Sequence, residues 1–209
     1  MNYIENTYVC LAAPLLLAIL CLQRGSRRSL IFLLAGMTSC FLSAYISAFA
    51  AGALGMDLTA ASYEITPVVE ECIKLLPALF YLLVFEPKPE DVLSGVMMTA
   101  AGFATFENVC FLADYGTSDL LRLVIRGFGT GAMHVACGMI VAAGLFFLWD
   151  LKWLRYIGTF ALLCFVITFH ALFNIFVLQT GHVFWIGSAF PMLLLLVYLL
   201  FIRKKINPS

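Results

Sequence analysis

Residues 66–85 read Thr66-Pro-Val-Val-Glu70-Glu71-Cys-Ile-Lys74-Leu-Leu-Pro77-Ala-Leu-Phe-Tyr-Leu-Leu-Val-Phe85. A hydrocarbon core of about 30 Å takes about 20 apolar residues of helix, and this stretch has that length. Its first half nevertheless carries two carboxylates and an ammonium. Ionisable groups at membrane depth are costly unless paired or hydrated, so such residues are functional candidates by default. Glu70 and Lys74 stand at i,i+4 and Glu71 and Lys74 at i,i+3, the two separations that bring helical side chains together. The lysine therefore reaches either glutamate. Successive residues diverge by about 100° on a helix, so the two glutamates cannot point the same way. One faces a site and the other braces it.

The rest of the chain has the same character. Its 209 residues are 63% hydrophobic and 11% charged, against about 45–50% and about 25% in soluble domains. That excludes a soluble enzyme, a disordered tail and a disulfide-knit secreted module. Twelve basic and twelve acidic residues cancel, and no basic excess points to nucleic acid. Six further apolar runs span about 7–23, 29–54, 92–113, 120–149, 156–178 and 183–202. With 67–85 they predict an all-α polytopic membrane protein, a bundle of about seven transmembrane helices forming one domain over residues 1–209. The breaks carry turn and charge signals, among them Glu86 to Asp91 and Asp114 to Asp119. There is no internal repeat, and no loop is long enough to fold alone.

Positive charge stays on the cytoplasmic side of a membrane. With the N-terminus outside, Arg24, Arg27, Arg28, Lys88, Lys152, Arg155, Arg203, Lys204 and Lys205 lie inside, and only Arg122 and Arg126 lie outside. The expected orientation is N-out, C-in. The flank Met1 to Thr7 holds Glu5 and no Lys or Arg, so the first span does not read as a signal peptide. Seven cysteines scattered through the apolar runs read as small packing residues rather than disulfide partners or metal ligands. Gly127 and Gly131 form a GxxxG pair, the signature of close helix packing. Pro77 frees the carbonyl of Ile73 and is expected to kink its helix beside the glutamates. His182 falls in an outer loop and reads as solvated.

The remaining intramembrane polar residues are few: Glu107 and Asn108, His134, then His170 and Asn174. His170 and Asn174 share a helix face, as do Phe103 and Glu107, and His134 and Gly138. At about 1.5 Å per residue, Glu107 and His170 lie about 22 and 21 Å above the cytoplasmic ends of their spans, while Glu71 lies about 6 Å and His134 about 18 Å below the outer ends of theirs. Three of the four thus fall in the outer half of the bilayer and His134 near its middle. Acids and imidazoles from four spans are expected to meet in one layer.

These residues carry a resemblance. Glu70-Glu71-x-x-Lys74, Phe103-x-x-x-Glu107-Asn108, His134-x-x-x-Gly138 and His170-x-x-x-Asn174 resemble the motif set of the PrsW family, glutamic-type intramembrane proteases of bacteria related to the type II CAAX prenyl proteases and the bacteriocin-processing proteases. The motifs occupy four successive spans, a catalytic core of about residues 66–176. The wider superfamily has an Arg one residue later in the first motif and a His where Glu107 stands. The resemblance implies hydrolysis of a peptide bond in or beside a transmembrane segment, in a multi-pass protein of the bacterial cell membrane. It implies no metal or other cofactor. The implied partner is a single-span membrane protein in the lipid bilayer, such as an anti-sigma factor in regulated proteolysis.

On this reading Glu71 is the general base, tuned by Lys74, and Glu70 braces it or shares its water. His134 orients the water or supplies a proton. His170 and Asn174 donate to the oxyanion, Glu107 is the second member of a carboxyl pair, and Asn108 holds it. Three other readings compete. A zinc metalloprotease would use His134, His170 and one or two glutamates as ligands. A proton-coupled transporter would use the same groups as a relay, and predicts repeats that the chain lacks. A non-enzymatic scaffold, as found in the γ-secretase complex, has no need of both glutamates of the first motif.

Overall fold

The computed structural model describes residues 24–85, 87–115, 120–148, 151–198 and 200, together with Ile4, Tyr8, Ala12, Leu16 and Leu17. Among the described residues from Arg24 onward seven helices follow one another: α1 Arg24–Leu54, α2 Leu58–Glu64, α3 Thr66–Phe85, α4 Pro89–Tyr115, α5 Leu120–Leu148, α6 Lys152–Leu178 and α7 His182–Val197. The described residues contain no strand. Most of the first apolar run, Cys10 and Cys21, and the basic residues Arg203 to Lys205 lie outside the described residues, as do the side chains of Arg122 and Arg126.

Large apolar side chains face outward on every long helix. Phe49, Leu83, Phe128, Phe160 and Ile186 are each more than 60% exposed, while Glu70, Glu71, Lys74, His134 and His170 are buried. Polar groups inside and apolar groups outside invert the pattern of a soluble protein and suit a lipid surround. Four helices, α1, α4, α5 and α6, contain segments long and apolar enough to cross a membrane. α3 has the length too, and its three charged residues set it apart. α7 is apolar but shorter, at 16 residues.

Local chemistry sets the helix ends. Gly55 adopts φ +65, the left-handed conformation that ends a helix without a Cβ penalty. Met56 N donates to Ala51 O and Gly55 N to Gly52 O, which satisfies the last carbonyls of α1. Asp57 then caps α2, its carboxylate accepting from Thr59 N at 2.8 Å and Ala60 N at 3.0 Å. The sequence reads this segment only as a break; the short helix is added by the cap.

Glycine allows the closest helix approach. A Cβ on Gly36 would fall 2.0 Å from Thr99 O, and one on Gly102 would fall 2.0 Å from Leu33 O. The α1 and α4 backbones are therefore in contact through these two positions. The expected GxxxG packing of Gly127 and Gly131 is not what the structure uses. Gly131 has nothing within 4 Å and Gly127 only Asn108 Nδ2 at 3.9 Å, while Gly129 between them abuts Ser188 of α7. Helical rotation explains this, since Gly129 is displaced by about 200° from either neighbour two residues away. At one end of the bundle the Arg28 guanidinium donates to Tyr81 Oη at 3.1 Å and to Asp91 Oδ1 at 2.5 Å, tying α1, α3 and α4 together.

The arrangement that positions the site is a ring of four. α3 packs on α4 and α6, and α5 also packs on α4 and α6, but α3 and α5 do not touch through their backbones. They face each other across the ring, and only side chains bridge the gap.

Candidate active site

All four helices of the ring send a polar side chain to its centre. α3 supplies three, because Glu70, Glu71 and Lys74 lie within little more than one turn. Lys74 Nζ donates to Glu71 Oε1 at 2.6 Å, and the i,i+3 pair is buried at both ends. The same ammonium lies 2.7 Å from His134 Nδ1 on α5, and 4.8 Å from the centroid of the Phe103 ring on α4. An ammonium has only donors, so Nδ1 of His134 accepts and its Nε2 carries the proton. That Nε2 lies 2.5 Å from Glu107 Oε2 and donates to it. A chain therefore runs Glu71, Lys74, His134, Glu107 across the diagonal from α3 to α5 and back to α4.

His170 on α6 completes the layer. Its Nδ1 lies 2.7 Å from Glu71 Oε1, so this oxygen accepts from both His170 and Lys74. The other ring nitrogen, Nε2, faces Glu70 Oε2 at 3.6 Å. Glu70 Oε2 is buried and has no hydrogen-bond partner among the described residues. The two imidazoles meet edge to face, with centroids 5.1 Å apart, and Phe103 lies against His134 at 4.8 Å.

Glu70, Glu71, Glu107, His134 and His170 thus come together around Lys74. The two asparagines do not join them. Asn108 Nδ2 donates to Gly127 O at 3.3 Å, joining α4 to α5. Asn174 Nδ2 donates to Ser62 O at 2.8 Å, holding α2 against α6. Asn174 shares a face with His170, as its spacing requires, but one turn further along that face looks at α2 instead of the carboxylates. Phe103 is closer to the chemistry than sequence reasoning placed it, being the ring on which Lys74 rests. The i,i+4 series Thr99, Phe103, Glu107 on α4 was the available signal.

Among the described residues, Glu70, Glu71 and Glu107 bring three carboxyl groups to this layer beside the one ammonium of Lys74. One ligand atom each from Glu70, His134 and His170 lies within 4.8 Å of the others. A carboxylate and two imidazoles are a donor set of hydrolytic zinc centres. His170 also holds a second carboxylate, Glu71, on its remote nitrogen, as metal-bound histidines do. Glu70 Oε2 and His170 Nε2 are uncommitted, whereas His134 would have to release Lys74 or Glu107. By donor type and by the orphaned Glu70 oxygen, the residues fit a divalent metal.

Beside this layer is a small cavity, open at its mouth, lined by Glu71, Lys74 and His134 on one side and by Thr99 and apolar residues of α3, α4 and α5 on the other.

A family model described as PrsW family intramembrane metalloprotease matches residues 24–202. No curated protein and no solved structure matches the chain.

Proposed function

We propose, on the premise that this chain belongs to the PrsW family of intramembrane proteases, that it cuts its substrate with a water activated by glutamate. The substrate is a single-span membrane protein, such as an anti-sigma factor, cut in or beside its transmembrane segment. The setting is a bacterial cell membrane with the N-terminus outside. One observation carries the reading: Glu70 Oε2 is buried, has no hydrogen-bond partner among the described residues, and faces His170 Nε2 at 3.6 Å.

Peptide hydrolysis adds water across the carbon–nitrogen bond. The oxygen goes to the carbonyl carbon, one proton to the leaving amine and, finally, one to the medium. A water needs an acceptor to lose its proton, and the buried Glu70 Oε2 is a carboxylate oxygen of α3 with that capacity free. Glu71 Oε1, holding two donors, is the brace. This reverses the sequence-based assignment, for which spacing alone gave no ground to choose. His170 Nε2 lies opposite Glu70 and orients the water. The Lys74 ammonium is the positive charge nearest the cavity and offsets the developing oxyanion, a role in which a preorganised charge outweighs solvent. His134 carries its proton on Nε2 and is the donor for the leaving amine. Its Nδ1 takes a proton from Lys74 as Nε2 gives one up, and the proton that Glu70 took from the water restores the ammonium. Asn174, engaged with Ser62, has no part in the oxyanion site.

The donor triad supports a second reading, in keeping with the description of the family. Glu70, His134 and His170 would hold a divalent metal, which when bound acidifies water and polarises a carbonyl. In that case Glu71 orients His170, and Glu107, beside His134, takes the role of general base.

Co-expression with candidate single-span membrane proteins, comparing the parent with a Glu70→Ala/Glu71→Ala double variant, tests the activity. A fragment seen only with the parent is expected. Identical substrate patterns in both would end the proposal.

A further inference from the structure

The cavity beside the carboxylate layer lies in the gap between α3 and α5, on the side of Lys74 toward Phe85. Ala78 stands four residues beyond Lys74 and Gly138 four beyond His134, so these two wall residues lie one helical turn, about 6 Å, from the polar layer. That is about the reach of one side chain from its own backbone. Beyond the polar rim its walls are Leu75, Ala78, Val96, Thr99, Ala100, Cys137, Gly138 and Val141. Three of these eight, Ala78, Ala100 and Gly138, have no side chain larger than a methyl group. Apolar space left open in a packed bundle costs stability, and bulkier residues at those three positions would have closed it. The space narrows at Gly138, where an added Cβ would lie 3.1 Å from Ala100 Cβ and 3.4 Å from Val96 Cγ1.

An occupant must offer an apolar body to these walls and polar atoms to a rim of Glu71, Lys74 and His134. A peptide residue with an aliphatic side chain does both, its carbonyl oxygen meeting the Lys74 ammonium. We infer that this cavity is the specificity pocket for the substrate residue whose carbonyl is attacked, and that it selects a small aliphatic side chain, alanine to valine in size. Gly138 and Val141 set the limit, Gly138 at the narrow point and Val141 one turn deeper on the same face of α5. The inference rests on the proteolytic reading above and adds the class of residue cut.

The test uses the full-length chain in phosphatidylethanolamine/phosphatidylglycerol vesicles. The probes are synthetic single-span polyleucine peptides with one central residue varied among Gly, Ala, Val, Leu and Phe, and products are mapped by mass spectrometry. The parent is expected to cut after Ala and Val at least tenfold faster than after Phe. Val141→Ala, which enlarges the pocket, should bring Leu and Phe to within a few-fold of Val. Gly138→Val should confine cleavage to Gly and Ala. Should Gly138→Val fail to fold, Val141→Ala decides alone. Parent cleavage after Phe as fast as after Ala, or an unmoved profile in an active Val141→Ala, overturns the pocket and leaves the protease standing. No cleavage of any peptide by the parent overturns the proteolytic reading and the pocket with it.

Discussion

Glu70 Oε2 and His170 Nε2 face each other at 3.6 Å, while the neighbouring carboxylate of Glu71 is held by two donors at 2.6 and 2.7 Å. The proposed mechanism therefore gives adjacent residues of one helix opposite roles, one reactive and one structural. Glu70→Gln removes an acceptor that has no hydrogen bond to lose. Its melting temperature should stay close to that of the parent, while cleavage falls by about 10²–10⁴-fold, the range for a lost general base. A variant that keeps full activity would sink the assignment of Glu70 as base.

Glu71→Gln should behave differently. It leaves the buried Lys74 ammonium without its counter-charge, and breaking one partner of a buried pair costs about 3–5 kcal/mol. Lys74→Met should cost a similar amount by stranding Glu71. The double variant should recover part of the loss, because a coupled pair is not additive. Denaturation in mixed micelles would read the cycle; strict additivity would mean that the pair is not coupled.

The metal-binding reading has its own signature. If Glu70, His134 and His170 hold a metal, the purified parent should contain it in about equimolar amount by elemental analysis, and His170→Gln should lose it. If glutamate alone activates the water, cleavage should survive phenanthroline. Chelator-sensitive cleavage restored by added zinc would favour the metal over the glutamate mechanism.

Glycine positions offer a test of the packing. Gly102→Ala places a methyl group 2.0 Å from the Leu33 carbonyl oxygen, so this variant should fold poorly. Gly131→Ala meets nothing within 4 Å, and should stabilise α5 by up to about 1 kcal/mol from helix propensity. Expression level and thermal melting separate the two outcomes; equal behaviour would contradict the α1–α4 contact.

The clasp from Asn174 to Ser62 can be opened alone. Asn174→Ala should cost about 1 kcal/mol for the lost hydrogen bond. Amide exchange should accelerate across Leu58 to Glu64 and leave α5 unchanged. Uniform exchange in both would deny that this bond tethers α2.

Hydropathy made much of this fold legible. The bounds of α1 and α3 to α7 fall within five residues of the apolar runs, because lipid demands length and apolarity of every spanning element. Helical spacing also brought Lys74 to Glu71, a local relation. What spacing could not give was which atom is satisfied by which neighbour. Glu71 is braced by His170, Asn174 is drawn to Ser62, and Gly129 rather than its flanking glycines meets α7. Each depends on the rotation of one helix against another. The α2 helix was hidden for a different reason: seven residues are too few for periodicity to register, and its Asp57 cap lies in a segment that otherwise reads as a turn.

The diagonal between α3 and α5 bears on how the protein is made. α3 leaves the ribosome carrying three charges, each costing about 2.5–3.5 kcal/mol at the centre of a lone inserted helix. Its partner His134 is 60 residues further on, and His170 is 99 residues beyond Glu71. During synthesis α3 is therefore expected to wait in the translocon or at the headgroups until α5 and α6 arrive. Chains truncated before residue 134 and carrying glycosylation reporters on either flank of α3 should show it incompletely integrated; full integration at that length would mean that its charges find shelter without the rest of the ring.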